Sequence, residues 1–289
     1  MLIGCFAAMA CALPGNFLLL RRQSLIGDAI SHTVLPGIVV AFLITGTLGA
    51  IPMMIGAAGA ALCAVLLIEA IRRIGRIEPG AAMGVVFTTM FACGVLLLEQ
   101  TNTASVHLDV EHALYGNLES LIWLDGLTPG AWHDPDALAT LPPELPRMIA
   151  TFATLALLLA LVWRPLTIAT FDEPFAHSVG LPVATISLGL VICAALAAVA
   201  AFDAIGSIIV IAMFICPPAT ARLMTNSLFA QVLWSQACAA LSAILGYLLA
   251  GYGPLLFGGT SAVSAAGMIA TVAGLLLSLA ATTAPHRKH

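Results

Sequence analysis

The sequence predicts an all-α protein, a polytopic bundle of transmembrane helices, and three observations support that prediction. Hydrophobic residues make up 61% of the 289 residues and charged residues only 8%, and mean hydropathy is +1.07. A soluble domain carries about 25% charged residues, so most of this chain must face lipid. Apolar stretches of the ~20 residues that cross a bilayer recur from end to end. The whole chain, 1–289, is therefore predicted to be a single transmembrane domain.

About nine spans are predicted, and eight remain possible if one segment is re-entrant. Their predicted bounds are 1–20, 28–48, 51–71, 80–99, 147–164, 182–202, 204–223, 228–250 and 256–281. The first stretch lacks the basic start and the small-residue cleavage site of a signal peptide, and a second apolar stretch follows at once. It is therefore interpreted as the first span.

The positive charges predict the orientation of these spans. With nine alternating spans, one side receives Arg21, Arg22, Arg72, Arg73, Arg76, Arg164, Arg222, Arg287 and Lys288, and the other side receives Arg147 alone. Cytoplasmic loops carry an excess of Lys and Arg. The C-terminus is therefore predicted to be cytoplasmic and the N-terminus external.

A long polar segment, residues 101–146, is extracytoplasmic in this topology. It contains acidic residues and three histidines, and its second half is rich in proline and glycine, which is typical of a surface loop. The charges are interpreted first as those of a solvated loop. Alternatively, they would concentrate cations at the outer surface or contact a binding protein.

Several functional classes are excluded or disfavoured by what the sequence lacks. A net charge of −4 with a single lysine argues against nucleic acid as a partner. The seven cysteines form no CxxC pair, so they are interpreted as small buried residues and not as a disulfide framework or zinc site. No GxxxxGK[ST] motif occurs, so the chain has no P-loop with which to hydrolyse ATP. No HExxH motif supports an intramembrane metalloenzyme.

Three ionisable residues lie in or beside the predicted spans, where a charge costs several kcal/mol. Asp28 and His32 are separated by four residues, so on a helix they share one face, ~6 Å apart. A carboxylate and an imidazole so placed suit Mn²⁺, Zn²⁺ or Fe²⁺. From the residues alone, capping roles for Asp28 and for Asp203, at the start of predicted span seven, stay open. So does a hydrogen-bonded core role for His32.

Three separated motifs add a resemblance to these observations. They are LLLRRQSLIGDAISHTVLPGIVVAF at 18–42, FDEPFAHSVGLP at 171–182 and AIGSIIVIAMFICPPATARLMT at 204–225. Together they resemble the manganese/zinc/iron permease family of ABC importers, in order and over nearly the whole chain. The resemblance implies that Asp28 and His32 belong to a metal path. Some family members have a glutamate in the place of Asp203, so the shorter aspartate departs from that form.

The second motif implies a site of contact with an ATPase. In ABC importers the loop between two central spans carries a coupling helix that docks on the ATPase. By resemblance this loop is 165–181, and its functional residues are Phe171, Asp172, Phe175, Ala176, Gly180 and Leu181. The charge pattern independently predicts that this loop is cytoplasmic.

The resemblance implies a permease subunit, not itself an enzyme, in a bacterial inner membrane. Its expected partners are a cytoplasmic ABC ATPase dimer, a second permease subunit (identical or different), an extracytoplasmic metal-binding protein and the lipid bilayer. The expected cargo is a divalent metal ion (Mn, Zn or Fe), with no permanently bound cofactor.

The sequence leaves two alternatives to a permease for a bare metal ion. The first is an ion-coupled secondary metal transporter that uses the Asp and His as a proton relay. Such carriers show paired broken helices in a repeat, which the sequence lacks. The second is an ABC permease for a metal chelate, against which the Asp28/His32 pair, suited to a bare ion, argues.

Overall fold

All regular secondary structure in the described part of the protein is helical, as predicted. A computed structural model describes residues 1–24, 26–47, 50–100, 118, 123, 140–256 and 263–283. Its helices are α1 (Leu2–Leu20), α2 (Ile26–Thr45), α3 (Ala50–Gly75), α4 (Pro79–Gln100), α5 (Glu144–Leu161), α6 (Trp163–Phe171), α7 (Glu173–Ser178), α8 (Val183–Ile205), α9 (Ser207–Met224), α10 (Leu228–Leu256) and α11 (Ala265–Thr283). No strand occurs in these ranges.

The helices confirm a membrane bundle. Among the described residues, α1, α3, α4, α5, α8, α10 and α11 contain seven stretches that are long and apolar enough to cross a bilayer. Shorter apolar stretches at Pro36–Thr45 and Ile208–Met224 belong to α2 and α9. The precise number of spans, eight or nine, stays a prediction. Most of the predicted outer segment 101–146 lies outside the described residues.

Helix α1 lies at the centre of the bundle. It packs against α5, α8, α9 and α10, and most of its residues are buried. Alanine, glycine and cysteine dominate its first half, and small residues let neighbouring membrane helices approach closely. Phe17 and Leu18, near its C-terminal end, are completely buried.

One predicted boundary is wrong and changes the place of Asp203. The sequence reading put this residue at the start of a span at 204–223, but α8 continues through it to Ile205. The break falls at Gly206, whose φ of +79° lies in the left-handed region that favours glycine. Helix α9 then begins at Ser207, with Gly206 as its N-cap. Asp203 therefore lies in the last turn of α8 and does not cap α9.

A second boundary also differs from the prediction. Helix α5 begins at Glu144, earlier than predicted, where an acidic side chain is favoured by the helix dipole. It ends at Leu161, and the chain turns at Val162 into α6. Pro165 lies in the first turn of α6, where its missing N–H breaks no helical hydrogen bond. Arg164 is thus part of a separate short helix and not the end of the fifth span.

Candidate functional site

Asp28 and His32 both lie in the first two turns of α2. The helical backbone places the two positions one turn apart along one face, as predicted. Their side chains, and that of Asp203, lie outside the described residues. Among the side chains that are described, no three of His, Cys, Asp or Glu converge on a metal-sized site. The metal roles of these three residues stay a prediction.

The start of α2 is held against α9 by a close glycine contact. A Cβ added at Gly27 would lie 2.7 Å from the Phe214 ring. On the other side, a Cβ added at Gly15 of α1 would lie 2.6 Å from the Phe214 carbonyl oxygen. Phe214 is completely buried. The segment that carries Asp28 therefore packs against a large side chain, with no room for a residue bigger than glycine at position 27.

Further along, α2 crosses α3 through two small-residue pairs. A Cβ added at Gly37 would meet the Gly56 carbonyl oxygen, and one added at Gly56 would meet the Gly37 carbonyl oxygen. Each helix has an alanine four residues later, Ala41 and Ala60, and each alanine borders the glycine of the facing helix. This small-xxx-small arrangement is typical of closely packed membrane helices. Backbone contact fixes the position of α2 relative to α3.

Helix α8, which carries Asp203, packs against α2, as does α9. Asp28 and His32 on α2 and Asp203 on α8, which the sequence analysis assigned to one metal path, therefore lie on helices that contact each other. Helices α2, α8 and α9 all pack against one another.

The predicted coupling segment forms α6 and α7. Asp172 is the N-cap of α7, and its Oδ1 accepts a hydrogen bond of 2.9 Å from the Phe175 backbone N–H. At the other end, the Gly180 N–H donates to the His177 carbonyl at 3.1 Å. The Leu181 N–H donates to the Ala176 carbonyl at 3.0 Å. With Gly180 at φ +80°, this is a Schellman termination. Local hydrogen bonds therefore close both ends of α7.

One face of α7 is buried and another is exposed. Ala176 is fully buried in a small apolar cluster with Ala169 and Val183, against which Leu181 packs. Phe175 of α7 is exposed, as are Phe171 at the end of α6 and Val179 just after α7, with exposed fractions of 51%, 56% and 58%. Phe171 and Phe175 therefore form an exposed apolar surface at α7.

A buried polar network in the bundle was not found from the sequence. The Asn16 side chain of α1 donates to the Ser235 hydroxyl of α10 at 2.7 Å and accepts from the Gln231 side chain at 3.3 Å. All three residues are fully buried. An Asn inside a predicted span is a detectable signal, because polar residues in membranes commonly hold helices together.

Comparison with known proteins identifies the family of this fold. Residues 1–125 and 136–278 match the ABC 3 transport family. The manganese transport system membrane protein MntD of Bacillus subtilis is 39% identical over 248 residues, which cover 86% of this chain and 81% of MntD. The zinc transport system membrane protein TroD of Treponema pallidum is 37% identical over 278 residues, which cover 96% of this chain and 71% of TroD.

A solved structure agrees in fold. A chain of PsaBC from Streptococcus pneumoniae, solved in complex with Fab, superposes with a TM-score of 0.77 at 27% identity. The superposition covers all of this chain and 91% of that one. The resemblance drawn from the three motifs is confirmed. The chain belongs to the ABC 3 transport family and is an integral membrane permease of an ABC transporter.

Proposed function

We propose that this chain is the membrane-spanning subunit of an ATP-driven importer for a divalent transition metal ion: manganese, zinc or iron. The observation that carries the proposal is the family match over almost the whole chain, together with relatives named for manganese and zinc transport. The described bundle, with a short helix that exposes phenylalanines beside its spans, is consistent with such a subunit.

The proposed metal path includes Asp28, His32 and Asp203. A carboxylate and an imidazole one helical turn apart offer oxygen and nitrogen ligands to a borderline metal ion. A transport site must also release its ion, so two or three protein ligands suit it better than a closed four-ligand cage. The contacts of α2 with α8 and α9 support this grouping at the level of helices.

The proposed ATPase contact is α7 with the residues that flank it, within the segment 165–181. Phe171 and Phe175 would enter an apolar groove on the ATPase. The capped ends and the buried Ala176 would keep α7 helical while it transmits force. In this proposal α7 and the C-terminus are cytoplasmic, residues 101–146 are extracytoplasmic, and the membrane is the bacterial inner membrane.

The complete transporter would contain this chain, a second permease subunit (identical or related), two ATPase subunits and an external metal-binding protein. ATP binding would bring the ATPases together and displace α7. The bundle would then change the access of the metal path from one side of the membrane to the other. Hydrolysis would reset it after the ion has left towards the cytoplasm.

The test is uptake of radiolabelled manganese, zinc and iron by cells that express this chain with its ATPase and binding protein. Asp28→Ala and His32→Ala should abolish uptake without loss of assembly or ATP binding. Glu78→Ala, at an exposed acid between α3 and α4, is the matched control and should transport normally. Normal uptake in the Asp28 and His32 variants would remove both residues from the path.

The same assay separates the importer from its main alternative. Uptake that requires the ATPase supports the importer, and the labelled metal that accumulates identifies the cargo. Uptake that persists without the ATPase but is lost when the proton gradient is dissipated would instead indicate an ion-coupled secondary transporter.

A further inference from the structure

Two backbone hydrogen bonds close the C-terminal end of α1, just before α2. At the end of α1, the Arg22 N–H donates to the Leu19 carbonyl at 3.0 Å. The Gln23 N–H donates to the Leu18 carbonyl at 2.8 Å. This is a Schellman termination with Arg22 in the left-handed position, at φ +56°. An arginine there costs about 1 kcal/mol relative to glycine, so the turn holds a less favoured residue in a defined geometry.

Arg21, in the same turn, connects α1 to both helices that flank α7. Its Nε donates to the Thr170 hydroxyl of α6 at 3.0 Å. Its Nη1 donates to the Ser187 hydroxyl of α8 at 2.8 Å. Helix α7 lies between α6 and α8 in the chain and packs on both. The Arg21 guanidinium therefore links the turn before α2 to α6 and α8, the two helices against which α7 packs.

The hydrogen bonds of the Arg21 guanidinium are of a kind that can break and re-form when the helices move. Burial lowers the pKa of Arg21, and the nearby Glu173 carboxylate of α7 partly offsets that effect. Among the described residues, its hydrogen-bond acceptors are two neutral hydroxyls, and its buried Nη2 has no hydrogen-bond partner. A charge held by neutral acceptors is bound less strongly than in a bidentate carboxylate pair.

A cavity lies beside one of the two acceptors of Arg21. Its volume is about 50 Å³, and Gln23, Glu69 and Ser187 are among the residues that line it. Densely packed interiors resist displacement, whereas a side chain that borders a cavity can shift without overlap. Ser187 borders this cavity, so the hydrogen bond between Arg21 and Ser187 lies beside free space.

We infer that Arg21 is a positioning residue that transmits the displacement of α7 to the α1–α2 turn and so to α2, the helix that carries Asp28 and His32. The inference rests on the proposed function, because it presumes that α7 contacts an ATPase and that α2 lines the metal path. In this inference Arg21 touches neither the ATPase nor the metal ion.

The test compares Arg21→Gln with Arg22→Gln, its exposed neighbour, in the assembled transporter reconstituted with its ATPase and binding protein. Arg21→Gln should retain ATPase co-purification and basal ATP hydrolysis. Its metal uptake per ATP hydrolysed should fall about tenfold, within the usual range for a coupling between sites. Arg22→Gln should match the wild type in both quantities.

Further variants distinguish transmission from general stabilisation. Thr170→Val removes one acceptor at nearly constant volume and should lower the same ratio of uptake to hydrolysis. Combined with Arg21→Gln it should add little, because both changes break the same connection. Arg21→Lys keeps the charge but lacks the fork that reaches both hydroxyls, and it should recover the ratio only in part. If Arg21→Gln assembles poorly, the Thr170→Val and Arg21→Lys variants decide the question.

The outcomes separate the two levels of the proposal. An unchanged ratio in Arg21→Gln or in Thr170→Val, with ATP-dependent uptake in the wild type, would refute the role of Arg21 alone. Full additivity of the two changes would refute it as well. Absence of ATP-dependent metal uptake in the wild-type complex would refute the proposed function, and the inference with it.

Discussion

Replacement of Gly56 by alanine tests whether backbone contact sets the position of α2. The added Cβ would meet the Gly37 carbonyl oxygen directly and would lie 2.6 Å from the Ala41 Cβ. Neither obstacle is the end of a flexible side chain, so no rotamer change can relieve the overlap. The helices themselves must separate.

The size of the effect follows from these distances. Non-bonded carbon atoms are most stable at ~3.5–4.0 Å, so α2 and α3 must move apart by about 1 Å. Such overpacking costs about 1–3 kcal/mol. Alanine also gains up to about 1 kcal/mol over glycine in a helix, which partly offsets the cost.

Gly59 supplies a control in which only that gain operates. It lies in the same helix, three residues later, and a Cβ added there would meet no atom within 4 Å. Gly56→Ala and Gly59→Ala share the gain in helix propensity. Their unfolding free energies should therefore differ by the steric cost alone, about 1–3 kcal/mol.

The assay is thermal unfolding of both variants in detergent, with metal uptake measured alongside. A 150–250-residue protein loses about 2–4 °C of melting temperature per kcal/mol, so Gly56→Ala should melt several degrees below Gly59→Ala. Its uptake should also fall, because α2 carries Asp28 and His32. Equal melting temperatures and equal uptake in the two variants would refute the reasoning.

Two further predictions concern the buried hydrogen bond between Asn16 and Ser235 and the hydrogen bond that caps α7. Asn16→Ala removes the 2.7 Å bond to Ser235 and should lower the unfolding free energy by about 1–3 kcal/mol; an unchanged melting temperature in detergent would contradict that role. Asp172→Ala removes the N-cap hydrogen bond from the Phe175 N–H, which costs about 1 kcal/mol. The backbone amides of α7 should therefore exchange with deuterium faster, and less ATPase should co-purify with the variant. Asp172→Asn keeps an acceptor oxygen and should behave as the wild type, and equal exchange in the Ala and Asn variants would show that the cap is dispensable.

The features that the sequence predicted correctly have local causes. The short helix implied by the second motif is one example: Asp172 precedes a proline in its first turn and Gly180 follows its last turn, so the residues at both of its ends lie within nine residues of sequence. The helical spacing of Asp28 and His32 is another. In each case neighbouring residues in the chain determine the backbone conformation, so the pattern can be recognised from the sequence alone.

The boundary between α8 and α9, near Asp203, was predicted wrongly because its cause is not local. An apolar run interrupted by Asp203 crosses from α8 into α9, and hydropathy alone cannot show that Gly206 adopts a left-handed conformation there. Glycines are frequent in this chain, and most of them lie inside helices. Which of them ends a helix depends on how α8 and α9 pack.

The amino-acid sequence alone predicted that this protein is a bundle of membrane helices and where most of those helices lie. Hydropathy is a property of short stretches, so this prediction needs no tertiary information. Which helices meet is a property of the tertiary structure. It brought Gly37 against Gly56, joined Asn16 to Ser235 across 219 positions, and placed Arg21 between Thr170 and Ser187, 149 and 166 positions away. In a membrane every helix is apolar, so hydrophobicity cannot select a partner, and close packing and polar contacts must do so.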